Sequence, residues 1–301
     1  MSDRAKESGK TTSSRPEGSL LIAQITDTHV GFDPQAGDEE FNYLRFRAAL
    51  EHLASRPVPP DLLILSGDIA DKGAPNSYAR IRQLLAPLTF PVHAMTGNHD
   101  NRDELIAAFP DVPRADGFVQ YAIEAQGLRM VCLDTLEHGR HGGAFCEVRA
   151  DWLKRELSQH PDTPTMLFMH HPPIIAGIEW MDPRPDEPWL KRFHDALDGH
   201  DQVVAIACGH LHRPVNTVFF GIPLSITPAI APAVTLDMRP LDFHHSDGRG
   251  IVDAEPPSYA LHYWHHQTLV THFQPVGDWA RLARYTENMV PMMESLDQER
   301  H

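Results

Sequence analysis

Apolar residues in this chain gather into short unbroken runs, each closed by glycine or a polar cluster. Residues 20–26 (Leu-Leu-Ile-Ala-Gln-Ile-Thr), 62–65, 165–169 and 203–207 read as buried strands, as does the run after Pro91 that ends in Gly97. Residues 121–124 and 128–134 read as a strand pair turning at Gln126-Gly127. The intervening stretches 39–54, 76–85, 102–108, 148–158 and 188–197 read as helices. The first has Phe41, Leu44, Ala48 and Leu53 near helical spacing and is stopped by Pro57, Pro59 and Pro60. The fourth puts Trp152, Leu153 and Leu157 on one face. Further runs at 215–219, 224–226, 259–264 and 268–273 are expected to build a second sheet. Alternation early and clustered strands late predict an α/β fold of two packed sheets flanked by helices.

The expected division is a disordered polar tail over 1–18 and a core over 19–230. A loop or small cap rich in Pro, Asp, His and Gly comes next, over 231–257, where a long segment is commonly either functional or flexible. Strands over 258–275 complete the second sheet, and an extension occupies 276–301.

Five of the strand ends carry side chains able to bind a metal or move a proton. They are Asp27 and His29; Asp68; Asn98, His99 and Asp100; His170 and His171; His210 and His212. In α/β sheets ligands bind beyond the carboxyl ends of the strands. Each cluster alone has an ordinary reading as a polar turn, but five such accidents at five strand ends do not. Imidazole nitrogen with carboxylate and amide oxygen suits Fe, Mn, Zn or Co rather than a thiolate-selecting site. Asp27-x-His29 and His210-x-His212 are expected to present both side chains on one side of an extended segment. A carboxylate such as Asp68 can bridge two ions, and paired ions clamp the attacking and leaving oxygens of an in-line displacement.

Composition narrows the partners. A hydrophobic fraction of 42% supports a sizeable core. The net charge of −15 argues against a nucleic-acid polymer or an anionic membrane surface. It does not exclude a small anionic substrate, since bound cations reverse the local sign. No run is long enough to span a membrane, and the first eighteen residues lack the apolar stretch of a secretory signal, so a cytoplasmic protein is expected. Cys132 and Cys208 lie in apolar runs and read as buried free thiols in a reducing compartment.

The ordered set Asp27-x-His29, Gly67-Asp68, Gly97-Asn98-His99-Asp100, His170 and Gly209-His210-Leu211-His212 resembles the calcineurin-like metallophosphoesterase superfamily over residues 20–273. The resemblance implies a four-layer α/β/β/α sandwich of two mixed sheets holding two transition-metal ions. It implies that Asp27, His29, Asp68 and His212 hold one ion and that Asp68, Asn98, His170 and His210 hold the other. His99 would then face the substrate, together with Asn98 and His171, and stabilise the transition state or protonate the leaving alkoxide. The choice of His170 over His171 as ligand rests on the family's His-x-Pro pattern. Asp100 is expected either to orient His99 or to serve as a plain turn carboxylate.

Asp71 stands where purple acid phosphatases place a tyrosine, and Asp100 where protein Ser/Thr phosphatases place a glutamate. The blocks around Gly67-Asp68 and His170-His171-Pro172-Pro173 are most similar to bacterial class III cyclic nucleotide phosphodiesterases and glycerophosphodiesterases. That similarity implies hydrolysis of a small phosphodiester by in-line attack of a metal-bridging hydroxide, in a dimer or higher homo-oligomer. A broader phosphomono-, di- or triesterase is the alternative. So, in another class, is a non-catalytic scaffold, which would be expected to have lost some of these residues.

Overall fold

Unbroken apolar strands require cover on both faces, and the computed structural model, which describes residues 15–300, supplies it with two stacked sheets. The first has the order β13-β12-β1-β2-β3, with β1 Leu20–Ile25, β2 Leu62–Ser66, β3 Val92–Met95, β12 Ser258–His265 and β13 Thr268–Pro275. The second has the order β4-β5-β6-β7-β9-β8, with β4 Tyr121–Ala125, β5 Leu128–Leu133, β6 Thr165–Met169, β7 Val203–Cys208, β8 Val215–Phe219 and β9 Ile222–Ile226. Both are mixed. β1, β2 and β3 run parallel, as do β5, β6, β7 and β9, while antiparallel strands close both edges of the second sheet and the β13 edge of the first. Polar residues 1–14 of the expected tail lie outside the described residues. Arg15 anchors the chain to the Pro59 carbonyl and to Asp61.

Period-two alternation divides the second sheet between two cores. Met130, Cys132, Met166, Phe168, Ala205 and Ala207 face the first sheet. Their neighbours Val131, Leu133, Leu167, Met169, Ile206 and Cys208 pack instead with α4 (Glu147–Gln159) and α5 (Pro188–Leu197). Buried residues of α1 (Phe41–Ala54), α2 (Pro75–Leu85) and α3 (Arg102–Ala108) join the core of the first sheet, which gives the expected four layers. Gln126 and Gly127, with φ of 49° and 74°, form the tight turn between β4 and β5.

Two expectations need correction. The strands over 258–275 do not complete the second sheet: β12 pairs antiparallel with β1 and extends the first. The inward face of α1 is Tyr43, Phe46, Ala49, Leu50 and Leu53, while Phe41 and Ala48 are exposed. The apolar residues of α1 fit two overlapping stripes, and packing against the sheet selects the one rich in large side chains.

In the 231–257 segment a ribbon, β10 (Ala233–Val234) with β11 (Val252–Asp253), closes a loop, and Arg45 ties its base to the carbonyls of Ala231 and Glu255. The terminal helix α6 (Val290–Gln298) buries none of its residues. Among the described residues no helix is long and apolar enough to cross a membrane. Cys132 and Cys208 are buried and free.

A buried polar node fastens the sheets to one another beneath the strand ends. Gln24 of β1 donates to Ser66 Oγ of β2 at 2.7 Å and to the Cys208 carbonyl of β7 at 3.2 Å. Its Oε1 accepts from Thr227 Oγ1 at 2.7 Å and from His262 Nε2 at 3.0 Å, leaving His262 Nδ1 to accept from Thr271. Burial pushes the His262 pKa from 6.5 down to about 3. Unfolded chains take up this proton below 6.5 and the folded chain does not, so acid favours unfolding throughout that window. Between pH 7 and pH 5 this residue alone should cost about 2 kcal/mol of stability, at about 1.4 kcal/mol per pH unit below the unfolded pKa. Urea titrations at both pH values should therefore show a steeper acid loss for the natural chain than for His262→Gln. Equal losses in the two proteins would contradict this account.

Candidate metal centre

The five polar clusters converge at one end of the two central parallel strand sets, in the cleft between the sheets. The convergence depends on backbone conformations that the sequence pattern does not announce. Asp27, His29, Asp68, His210 and His212 all have positive φ, at 52°, 45°, 48°, 69° and 58°. They make up half of the non-glycine residues in that state among the described residues. The expected extended presentation of Asp27-x-His29 and His210-x-His212 is therefore corrected: the side chains are brought together by left-handed turns. Each such residue costs about 1–3 kcal/mol and persists only where its surroundings over-determine it, a condition characteristic of functional sites.

The outward-facing atoms of Asp27, His29, Asp68, His170 and His212 have partners. His29 Nδ1 meets Asp71 Oδ1 at 3.2 Å, His170 Nδ1 donates to the Ser66 carbonyl at 2.9 Å and His212 Nδ1 to the Pro232 carbonyl at 2.8 Å. These acceptors turn the three Nε2 atoms inward, as partners of metal-binding histidines do. Asp27 Oδ2 accepts from Thr26 Oγ1 at 2.7 Å and from the His210 amide at 2.9 Å, and Asp68 Oδ1 accepts from the His99 amide at 2.8 Å.

The inward atoms are different. Asp27 Oδ1 and His170 Nε2 are buried and have no hydrogen-bond partner among the described residues. Asp27 Oδ1 lies 3.3 Å from His212 Nε2, and Asp68 Oδ2 lies 3.2 Å from His170 Nε2 and 3.6 Å from His29 Nε2. Four triads have donor atoms mutually within 4.8 Å: Asp27, His29 and His212; His29, Asp68 and His99; Asp27, Asp68 and His170; and His170, His171 and His210. No thiol is among them. Burial pushes both carboxyls up, but neighbouring histidines outweigh it and hold Asp27 and, further, Asp68 below the usual range. Burial and adjacent imidazoles push His171 and His210 well down. Burial lowers His170 and His212 too, but Asp68 and Asp27 outweigh it, pushing His170 up to about 9 and His212 up as well. The carboxylates thus draw positive charge inward, and with unpartnered inward atoms this donor set fits cations.

A profile of calcineurin-like phosphoesterases matches residues 20–214. The chain belongs to that family. A probable glycerophosphodiester phosphodiesterase of Arcobacter nitrofigilis is 32% identical over 265 residues, covering 86% of this chain and 94% of that protein. A probable cyclic nucleotide phosphodiesterase of Rhodopseudomonas palustris is 34% identical, covering 80% of this chain and 87% of that protein. The fold is similar to that of a dimetal phosphatase from Danio rerio at 15% identity, with a TM-score of 0.58 over 86% of this chain and 97% of that one. Calcineurin-like phosphoesterases use a binuclear metal centre, and the His/Asp clusters of this phosphoesterase are able to bind metal.

The remaining expected residues are at the cleft too. His99, its side chain 36% exposed at the mouth, uses Nδ1 on the Asp71 carbonyl at 2.8 Å and stands edge-on to His29 at 4.6 Å. Asn98 Oδ1 accepts from His171 Nε2 at 3.1 Å, and His171 Nδ1 contacts Thr135 Oγ1 at 2.7 Å. Asp100 does not serve as the partner of His99. Its oxygens accept from the amides of Ile69, Ala70 and Gly97 and from the Tyr78 hydroxyl at 2.8 Å. It thereby ties the loop after β2 to the loop after β3. Burial and the Asp68 charge push its pKa up to about 7 in spite of these donors.

Two contributors escaped the sequence reading. Asp71 orients His29 and carries the carbonyl that holds His99. His141 lies 4.8 Å from the His210 ring and stacks on Trp180. With His171 and Trp189 they line a cavity of 140 Å³ beside the cluster. Only the position of Asp71, three residues after Asp68, carried any signal.

The glycines preceding the donors are fixed by close approach. A Cβ at Gly97 would lie 2.3 Å from Asp68 Oδ1, and one at Gly209 would lie 2.1 Å from Thr26 Oγ1 and 2.9 Å from Asp27 Oδ2. Each glycine-to-alanine change should lower stability by about 1–3 kcal/mol, as overpacking does, and reduce the metal retained per chain. Denaturant midpoints and elemental analysis test this, and unaltered values for both variants would refute it.

Proposed function

We propose that this chain is a metal-dependent phosphodiesterase acting on a small phosphodiester, a cyclic nucleotide or a glycerophosphodiester. The observation that carries the reading is the asymmetry of the cluster: the outer atoms of Asp27, His170 and His212 are satisfied by the protein, while Asp27 Oδ1 and His170 Nε2, turned inward, have no hydrogen-bond partner among the described residues. Asp27, His29, Asp68 and His212 would hold one ion, and Asp68, Asn98, His170 and His210 the other. A donor set of N and O atoms without thiolate suits Fe, Mn, Zn or Co. When bound, such a pair supplies Lewis-acid charge for the phosphoryl oxygens and acidifies the attacking water.

The chain's own groups supply the rest. His99 sits at the mouth with its Nδ1–H committed to the Asp71 carbonyl, so Nε2 is the nitrogen left to face the leaving oxygen, and it donates a proton there when the ring carries both protons. Asp71 fixes His29 and, through its carbonyl, His99. His171 holds the Asn98 side chain in place. Asp100 acts structurally by joining two loops. The stacked rings of His141 and Trp180 form a flat wall beside the cluster that suits the non-phosphoryl part of the substrate. The names borne by the relatives support both substrate classes. The exposed side chains of Trp279, Leu282 and Tyr285 suit a homo-oligomer built over the C-terminal segment.

Hydrolysis of bis(p-nitrophenyl) phosphate by metal-reconstituted protein tests the reading. Asn98→Ala should abolish most turnover by removing a ligand of one ion, and His99→Ala should lower kcat by about 10²–10⁴-fold, the range for a lost general acid, with the metal content of the His99 variant unchanged. Fewer than one ion per chain after reconstitution, with no turnover, would instead support the scaffold. Rates on cyclic AMP and on glycerophosphoethanolamine separate the two substrate classes.

A further inference from the structure

β5 ends differently from its parallel neighbours β6 and β7: it leads into Asp134 and Thr135, neither of which belongs to the donor triads. Both are fully buried. Asp134 clamps the strand end, accepting from Arg102 Nε at 2.8 Å and from the amides of Val119 at 2.9 Å and Leu136 at 3.0 Å. The Thr135 carbonyl accepts from the Ala144 amide at 3.0 Å, which closes the loop carrying His141. Thr135 is thus held on a fixed support, with its hydroxyl 2.7 Å from His171 Nδ1.

The direction of that hydrogen bond follows from the far side of the ring. His171 Nε2 faces two oxygens, Asn98 Oδ1 at 3.1 Å and the His141 carbonyl at 3.2 Å. A backbone carbonyl only accepts, so Nε2 carries the proton. His171 is 1% exposed, and burial disfavours a second proton on the ring, which leaves Nδ1 an acceptor. The Thr135 hydroxyl therefore donates to it, while its oxygen accepts from the His171 amide at 3.4 Å. The same Nε2–H decides the orientation of the Asn98 amide, whose oxygen has to face the ring. Asn98 Nδ2 is then left to donate to His141 Nδ1 at 3.4 Å. One directed chain runs from Thr135 through His171 and Asn98 to His141.

We propose that Thr135 is a positioning residue for the metal centre, on the reading that Asn98 is a ligand of one ion. A carbonyl oxygen has two lone pairs. The Asn98 oxygen gives one to His171 and keeps the other for the ion. Without the Thr135 hydroxyl, Nδ1 becomes a buried acceptor with no donor. The ring then loses what holds it in this orientation, and Asn98 is free to turn its amide away. Hydrogen-bond partners behind a ligand act on metal affinity in this way.

The test titrates the metal-free full chain with Mn or Zn and reads the affinity of each ion. Thr135→Val keeps the shape of the side chain and loses the hydroxyl. It should weaken one ion about 10–100-fold, the range for such partners, and leave the other as it was. Thr135→Ser retains the hydroxyl and should restore the affinity. In the Asn98→Ala background Thr135→Val should add nothing, since residues that act through one another are not additive. Equal weakening of both ions, additive losses in the double variant, or no loss in Thr135→Val would overturn the role of Thr135. Asn98→Ala with both affinities intact would overturn the ligand assignment itself, and the role of Thr135 with it. The position of the ring proton needs no variant to fold. In the natural chain labelled with nitrogen-15, the His171 proton should reside on Nε2, and a proton on Nδ1 would sink the proposal.

Discussion

The structure is organised around two carboxylates, Asp27 and Asp68, buried between the ends of two stacked sheets. Taking a charged carboxylate out of water costs several kcal/mol unless other charges and hydrogen bonds offset the loss. Here the chain satisfies one oxygen of each with hydroxyl and amide donors and turns the other toward inward-facing histidine nitrogens. Each of those histidines is oriented in turn by an acceptor on its far side. The unfavourable left-handed conformations at five of the donors arise from the same constraint. An extended strand end would spread these side chains apart, and only a sharp turn after the last sheet hydrogen bond brings them to a common point.

The two sheets divide the task. The first supplies Asp27, His29, Asp68, Asn98 and His99 from loops after its parallel strands. The second supplies His170, His171, His210 and His212 in the same way. Neither sheet holds a complete donor set, so the centre exists only when their inner faces are packed together. Side chains that alternate between the two faces of β5, β6 and β7 make that packing possible, since each strand contributes to the inter-sheet core with one face and to the helical core with the other.

Much of this was legible in the sequence, for a physical reason. Parallel strands buried on both faces appear as unbroken apolar runs, and the polar residues that close each run are the ones the fold delivers to the carboxyl edge. The family and the paired sheets could be read from those boundaries. The sheet to which the last strands return could not, because pairing of β12 with β1 is a contact across more than two hundred residues and leaves no local mark. Nor could the face of α1, where two apolar stripes compete and the sheet decides. Asp71 and His141 were missed because a single polar residue in a loop has no period, and its role depends on where the loop is held. Asp100 sits in the most diagnostic motif of the chain, yet its carboxylate secures backbone amides rather than the neighbouring histidine.

The Gln24 node has a consequence for how this molecule opens. It joins strands of both sheets directly under the donor loops, so the cleft cannot widen by sliding one sheet without severing buried hydrogen bonds. Loop tips and termini of proteins ordinarily exchange their amide protons through small local fluctuations. The amides at the carboxyl ends of β1, β2 and β7 are instead locked to the integrity of the whole inter-sheet core. The centre therefore belongs to the last cooperative unit to come apart, and losing the donor geometry and losing the tertiary structure become a single event.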